Sequence, residues 1–190
     1  MTAMLKIDRL SKTYNNGTVA LREVSLTVEP GEFVVMLGKS GSGKSTLMRC
    51  INRLVEPSSG SIFLDGEEVT GASPKRLREL RKKTGMIFQQ YNLIPRYSVQ
   101  SNALMGRLAS ISSVASMMNC FLGEDVARSR QVLDRLGLAD KCSHRSEELS
   151  GGQQQRVGLA RALMQGPKLI LADEPVSSLD PASSRQIMAL

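Results

Sequence analysis

The run Gly38-Lys39-Ser40-Gly41-Ser42-Gly43-Lys44-Ser45-Thr46 restricts the fold of this chain more than any other stretch in it. Closely spaced glycines let a backbone wrap tightly and turn successive N–H groups inward, which makes a cradle for an anion. The residues before it, Glu32 to Leu37, form a short apolar run of the kind that fills a fully buried central strand. The residues after it, Lys44 to Leu54, read as a helix with Leu47, Ile51 and Leu54 on one face. A strand feeding such a loop and then a helix is the context in which G-x-x-x-x-G-K-[ST] binds phosphate. Lys44 would reach the β- and γ-phosphates, and the Ser45 hydroxyl would bind Mg²⁺.

The rest of the chain is patterned to match. Met4 to Leu10 and Glu23 to Glu29 alternate apolar and polar residues, the mark of half-buried strands. Ser61 to Val69 reads as a hairpin turning at Asp65-Gly66. Thr84 to Phe88 and Lys168 to Ala172 are short strands, and the region between Gln89 and about Gly166 is rich in helix formers, most clearly Glu124 to Leu136. Strands alternating with helices predict an α/β protein with a parallel sheet. The alternating strands near the start predict an antiparallel sheet beside it. The Ser- and Met-rich stretch from Ile111 to Gly123 reads as an insertion or a loop with a loosely packed helix.

Two further motifs carry chemistry. Leu169-Ile170-Leu171-Ala172 delivers Asp173 and Glu174 to the C-terminal end of a strand, where open α/β sheets bind ligands. Asp173 would hold the Mg²⁺ shell, and Glu174 would act as general base on the attacking water. Leu149-Ser150-Gly151-Gly152-Gln153 precedes the helix-compatible segment Gln154 to Met164. Unpaired N–H groups and the dipole make that helix start a second anion-seeking place.

Bulk properties narrow the choices. At 190 residues the chain fits one domain with a sizeable core. Aromatic content of 4% without tryptophan argues against a protein that stacks on single-stranded nucleic acid. A net charge of +7 includes the cluster Lys75, Arg76, Arg78, Arg81, Lys82 and Lys83, read as a solvated helix face or a membrane-surface contact. Cys50, Cys120 and Cys142 lack the spacing of zinc ligands and are expected to be reduced thiols, and His144 is expected in a surface loop. No apolar run is long enough to span a bilayer, and the start lacks a signal-peptide pattern.

With these three motifs in order, the chain resembles the nucleotide-binding subunit of an ABC transporter over nearly its whole length. The resemblance implies a P-loop NTPase (RecA-like) core, an N-terminal antiparallel β-subdomain and an inserted α-helical subdomain. Residues 1–190 would form one domain, with 1–90 and 165–190 as core plus β-subdomain and 91–164 as the helical subdomain. It implies that Gly38 to Thr46 contact ATP, that Tyr14 stacks on adenine and that Val19 packs nearby. Gln89 would sense Mg²⁺ and couple to a membrane subunit, and Asp180, in Ser178-Leu179-Asp180, would cross a dimer interface. Ser150, Gly151, Gly152 and Gln153 would face the ATP held by a second subunit in a head-to-tail dimer. Phe88-Gln89-Gln90-Tyr91-Asn92-Leu93-Ile94-Pro95 resembles importers of small polar solutes, and Ala103 to Leu108 with the following insertion resembles phosphonate-import ATPases in particular.

The implied partners are a second copy, integral membrane permease subunits and, indirectly, a solute-binding protein, with no nucleic acid. The implied location is the cytoplasmic face of the inner membrane. The family places a histidine on the strand after the Asp180 loop, and the sequence ends at Leu190 before it, so a C-terminally truncated chain lacking the closing strands is expected to bind ATP and hydrolyse little. The alternatives are a non-transport ABC ATPase of the DNA-repair or translation type, weakly favoured by the basic charge, and an ATP-binding regulatory protein. Intact Lys44, Asp173 and Glu174 argue against the latter.

Overall fold

A computed structural model of the chain describes residues 3–88, 91–111 and 121–173. They fall into two compact units, one ending at Arg81 and the other beginning at Lys82.

The first unit contains β1 (Leu5–Thr13), β2 (Val19–Val28), α1 (Lys44–Ile51), β3 (Ser59–Leu64), β4 (Glu67–Glu68) and α2 (Pro74–Lys82). The strands form an antiparallel sheet in the order β2-β1-β3-β4, the antiparallel element expected from the alternating pattern. Leu5 lies opposite Val28 on one side and Leu64 on the other, and Ile7 lies between Leu26 and Ile62. Leu5 and Ile7 on β1 and Ile62 and Leu64 on β3 are buried at a spacing of two and form one apolar face, while Leu10 is buried beyond a register shift that follows Ile7. The turn between β3 and β4 has φ of 53° at Asp65 and 77° at Gly66, both positive as a type I′ hairpin requires.

Helix α1 is shorter than its apolar periodicity predicts. It stops at Ile51, Asn52 caps it, and Arg53 turns left-handed at φ 49°. The amides of Leu54 and Val55 both return to the Arg49 carbonyl, which satisfies the helix end and leaves Leu54 exposed. Two guanidiniums stabilise this end. Arg81 donates to the carbonyls of Asn52 and Arg53 at 3.0 and 2.7 Å, and Arg53 donates to those of Val69 and Ala72.

The apolar run Glu32 to Leu37 differs from expectation. None of it is assigned to a strand, and Phe33 and Leu37 are 74% and 91% exposed. A strand exists only through its ladder, and this segment has no ladder partner among the described residues.

The second unit contains β5 (Thr84–Ile87), α3 (Val99–Leu104), α4 (Gly123–Arg135), α5 (Gly151–Met164) and β6 (Leu169–Ala172). β5 and β6 are parallel, with Thr84 opposite Leu169 and Ile87 opposite Ala172, the pairing expected of strands alternating with helices. The helices share a core that includes Val99, Ala103, Leu133, Leu136, Leu138, Val157 and Met164. Each Val, Leu or Met side chain among them contributes about 1.5–3 kcal/mol by leaving water. Gln165 ties the end of α5 to the start of β5, its Nε2 donating to the carbonyls of Lys82 and Thr84 at 3.0 Å each. The chain is therefore α/β, with an antiparallel sheet, a parallel strand pair and a helical segment between the two parallel strands.

Candidate functional site

In the glycine-rich loop, Gly43 meets backbone that excludes any side chain, and Gly38 meets the Ser42 side chain. Gly43 begins α1 at φ 95°, and a Cβ there would lie 2.4 Å from the Ala20 carbonyl oxygen. A Cβ on Gly38 would lie 2.7 Å from the Ser42 hydroxyl. Gly41 is also left-handed, at φ 78°. The loop closes on itself through the Ser42 amide, which donates to the Lys39 carbonyl at 3.2 Å. Lys44 folds its ammonium back over the loop, donating to the carbonyls of Gly38 at 2.7 Å and Lys39 at 3.0 Å. The N-terminal N–H groups of α1, the ammonium and the Ser45 and Thr46 hydroxyls thus gather at one helix start, the chemistry of a phosphate site.

Tyr14 belongs to the same place. Its hydroxyl lies 3.3 Å from Thr46 Oγ1, and the Lys12 ammonium sits 5.2 Å from the centre of its ring. Tyr14 and Val19 remain 36% and 50% exposed, which leaves an aromatic surface beside the loop. Lys12 was not singled out by sequence reasoning. Its ammonium is anchored to the Glu56 carbonyl at 2.7 Å, a partner 44 positions away that no local pattern announces.

In the second unit, Asp173 is buried at the end of β6, and its amide continues the ladder to the Ile87 carbonyl at 3.0 Å. Parallel pairing with β5 therefore fixes where that carboxylate emerges. Ser150 caps α5. Its Oγ accepts from the Gln153 amide at 3.3 Å, and its own amide donates to Gln153 Oε1 at 3.0 Å, a complete capping box. Gly151 and Gly152 occupy the first turn, where helix geometry provides no intrahelical acceptor for the N–H groups. The anion-seeking character read from the sequence is thus local to this turn. Gln89, Glu174 and Asp180 lie outside the described residues.

A buried hub ahead of the turn was not legible in the sequence. Asn102 is fully buried on α3. Its Oδ1 accepts from the Ile94 amide at 2.9 Å, and its Nδ2 reaches Ser146 Oγ at 2.8 Å and the carbonyls of Ile94, Ser98 and Tyr97 at 3.1, 3.2 and 3.4 Å. It joins the segment after Gln89 to the segment before Leu149. A cavity of about 420 Å³ opens there, lined by residues that include Tyr91, Leu93, Pro95, Glu147 and Gln154. Arg161, which sequence reasoning also passed over, holds the Tyr91 and Asn92 carbonyls. Of the exposed positions expected from sequence, His144 is indeed exposed outside any helix or strand.

Comparison with known proteins agrees with this geometry. The family described as ABC transporter matches residues 21–177. The chain is 52% identical over 186 residues to the phosphonates import ATP-binding protein PhnC of Bdellovibrio bacteriovorus, covering 97% of this chain and 71% of that one. It is also 52% identical to the PhnC protein of Lactobacillus acidophilus, covering 97% and 72%. Among solved structures it is similar to the dimeric ATP-binding cassette MJ0796 in a post-hydrolysis state bound to ADP and Pi. That likeness has a TM-score of 0.84 and 35% identity, and covers 98% of this chain and 80% of that one. Among the described residues no helix is long and apolar enough to cross a membrane.

Proposed function

The chain belongs to the ABC transporter family, and from that membership we propose that it is the ATP-hydrolysing subunit of an importer that takes up phosphonates or a similar small anion. The observation that carries the ATP site is the loop at Gly38–Thr46, closed around the Lys44 ammonium at the start of α1, with Tyr14 beside it. Tyr14 and Val19 receive the adenine, and the N–H groups from Gly38 to Thr46 receive the phosphates. Lys44 exchanges its two carbonyl acceptors for the β- and γ-phosphate oxygens.

Mg²⁺ fits the donors available. The Ser45 hydroxyl, the Asp173 carboxylate and the Gln89 side-chain oxygen would each be a hard oxygen ligand of the type it prefers. Bound, it supplies charge neutralisation for the phosphates. Water attacks the γ-phosphorus, the bond to the bridging oxygen breaks, and Glu174 takes the proton, leaving ADP and phosphate. Ser150, Gly151, Gly152 and Gln153 serve the ATP of a second copy, and Asp180 lies at that junction. The dimeric cassette to which the chain is similar supports this arrangement. Closure is passed to a membrane permease through the segment after Gln89, with the cavity beside Tyr91 and Glu147 facing it. The protein then works at the cytoplasmic face of the membrane, indirectly served by a solute-binding protein. The relatives compared above give no support to a repair, translation or purely regulatory role.

The test is equilibrium binding of ATP to the chain, paired with phosphate release. Lys44→Ala should weaken binding by about 10–100-fold, since a charge-assisted contact to phosphate is worth about 1.5–3 kcal/mol. Glu174→Gln should retain binding, and in a version extended to the length of the relatives it should lose turnover. Undiminished binding by Lys44→Ala would remove the proposed site.

A further inference from the structure

The segment that follows Gln89 has an unusual backbone. Tyr91 and Asn92 both adopt positive φ, 29° and 49°, without being glycine. Left-handed backbone is unfavourable for a side-chain-bearing residue, most of all for one as bulky as tyrosine, and persists only where neighbours enforce it. The enforcing neighbour is Arg161 on α5. Its Nη2 donates to the Tyr91 carbonyl at 2.6 Å and its Nη1 to the Asn92 carbonyl at 2.7 Å. No carboxylate pairs with it among the described residues, where its guanidinium donates to these two carbonyls. Burial disfavours its charge, and the two short bonds offset that cost.

Tyr91 then lies along α5. A Cβ on Gly158 would stand 3.8 Å from the Tyr91 carbonyl oxygen and 4.0 Å from its Cα. A Cβ on Gly151 would stand 3.8 Å from the Tyr91 hydroxyl. Gly151 and Gly158 are seven positions apart, two turns on one face. Between them Gln154 turns its amide back onto the Ser146 and Leu149 carbonyls, at 3.1 and 3.2 Å. One tyrosine thus runs from the strained backbone after Gln89 to the turn at Ser150–Gly152, and one arginine fixes its base.

We propose that Arg161 is a positioning residue that fixes Tyr91 on the face of α5, so that the segment after Gln89 and the turn Ser150–Gly152 shift together. The planar fork suits this task, because it delivers two N–H groups in fixed geometry to two adjacent carbonyls. That Arg161 holds Tyr91 follows from the contacts. That this linkage carries the response to nucleotide rests on the function proposed above.

The experiment uses the whole chain labelled with 3-fluorotyrosine. The chain has three tyrosines, Tyr14, Tyr91 and Tyr97, each assigned by its replacement with phenylalanine. Without nucleotide, Arg161→Gln should move the Tyr91 fluorine resonance toward that of free fluorotyrosine and leave Tyr14 in place. Arg161→Lys, which keeps the charge and much of the length, should move it part of the way. An unmoved Tyr91 resonance in both variants overturns the proposal. With a non-hydrolysable ATP analogue, Tyr14 and Tyr91 should both respond in the unsubstituted chain. In Arg161→Gln, Tyr14 should respond at the same concentrations while the Tyr91 response is lost. A Tyr91 response that persists overturns the linkage. If neither tyrosine responds in the unsubstituted chain, the ATP reading fails, and the nucleotide-free comparison still decides whether Arg161 holds Tyr91. Should Arg161→Gln fail to fold, Arg161→Lys alone decides, because a purely packing role would leave its Tyr91 resonance in place.

Discussion

Replacing Asn102 with alanine should cost the second unit about 3–4 kcal/mol. The amide makes one bond through Oδ1 and has two N–H groups to donate, the shortest contacts being to Ser146 Oγ at 2.8 Å and the Ile94 carbonyl at 3.1 Å. Loss of three hydrogen bonds, one buried and two part-buried, at about 1 kcal/mol each, with up to about another 1 kcal/mol for the stranded Ile94 amide, gives that sum. The Ser146 hydroxyl retains the Tyr97 carbonyl at 3.3 Å, so no second orphan is counted. Such a loss is a large fraction of the ~5–15 kcal/mol available to a typical domain. Urea unfolding should therefore show a lower midpoint with an unchanged slope, and hydrogen exchange at Ile94 should accelerate. Asn102→Asp sharpens the test. The introduced carboxylate faces carbonyls that the amide had donated to, so its pKa is raised in the folded state. Below the unfolded carboxyl pKa of about 3.9 its penalty is smallest, and it grows as pH rises above that value. At neutral pH this variant should be less stable than the alanine one. A loss under about 1 kcal/mol for alanine would show that the surroundings re-pair without the amide, and would refute the reasoning.

Gly43→Ala meets both a left-handed backbone and a carbonyl oxygen 2.4 Å away, so it should cost about 3 kcal/mol or more and abolish nucleotide binding, measured by thermal melting and equilibrium dialysis. Ser150→Ala removes one half of the capping box and should lower stability by about 1 kcal/mol in a denaturant titration, with exchange accelerated first at Gln153. Burial raises the Cys50 thiol above its ordinary value, with Lys12 partly opposing and Glu56 adding to the effect. The unfolded chain then releases that proton at a lower pH than the folded one, so this group makes stability fall as pH rises past the unfolded thiol value. Cys50→Ala should flatten that part of the pH–stability curve, and Cys50 should resist alkylation in the folded chain.

What could be read from the sequence was chemistry compressed into short stretches. Gly38 to Thr46 announces itself because one loop contains the glycines, the ammonium and the hydroxyls, and Ser150 to Gln153 does so because a capping box closes over three residues. The period of two from Met4 and from Glu23 was legible because alternate residues of a strand turn to opposite faces. Asn102 and Arg161 were not, because Asn102 is met by the Ser146 hydroxyl 44 positions on, and Arg161 acts on carbonyls 69 and 70 positions back. An asparagine bonded to Ile94 and Ser146 has the same letter as one in water. Helix α1 ended before its apolar pattern did, since the stop is made by Arg53 adopting left-handed backbone and by Arg81, 28 positions on. Glu32 to Leu37 had the composition of a buried strand, but composition supplies no ladder partner.

Arg81 has a consequence for how the chain meets anionic surroundings. The basic cluster on α2 and at Lys83 just after it looks, by count, like a reservoir of six mobile cations. Arg81 is committed to the closing carbonyls of α1, and Arg76 is paired with Glu67. Any association with an anionic surface through this helix should accordingly respond to ionic strength as though fewer than six counterions were displaced. Removing Arg81 should change that salt response little while loosening the helix that carries the phosphate loop.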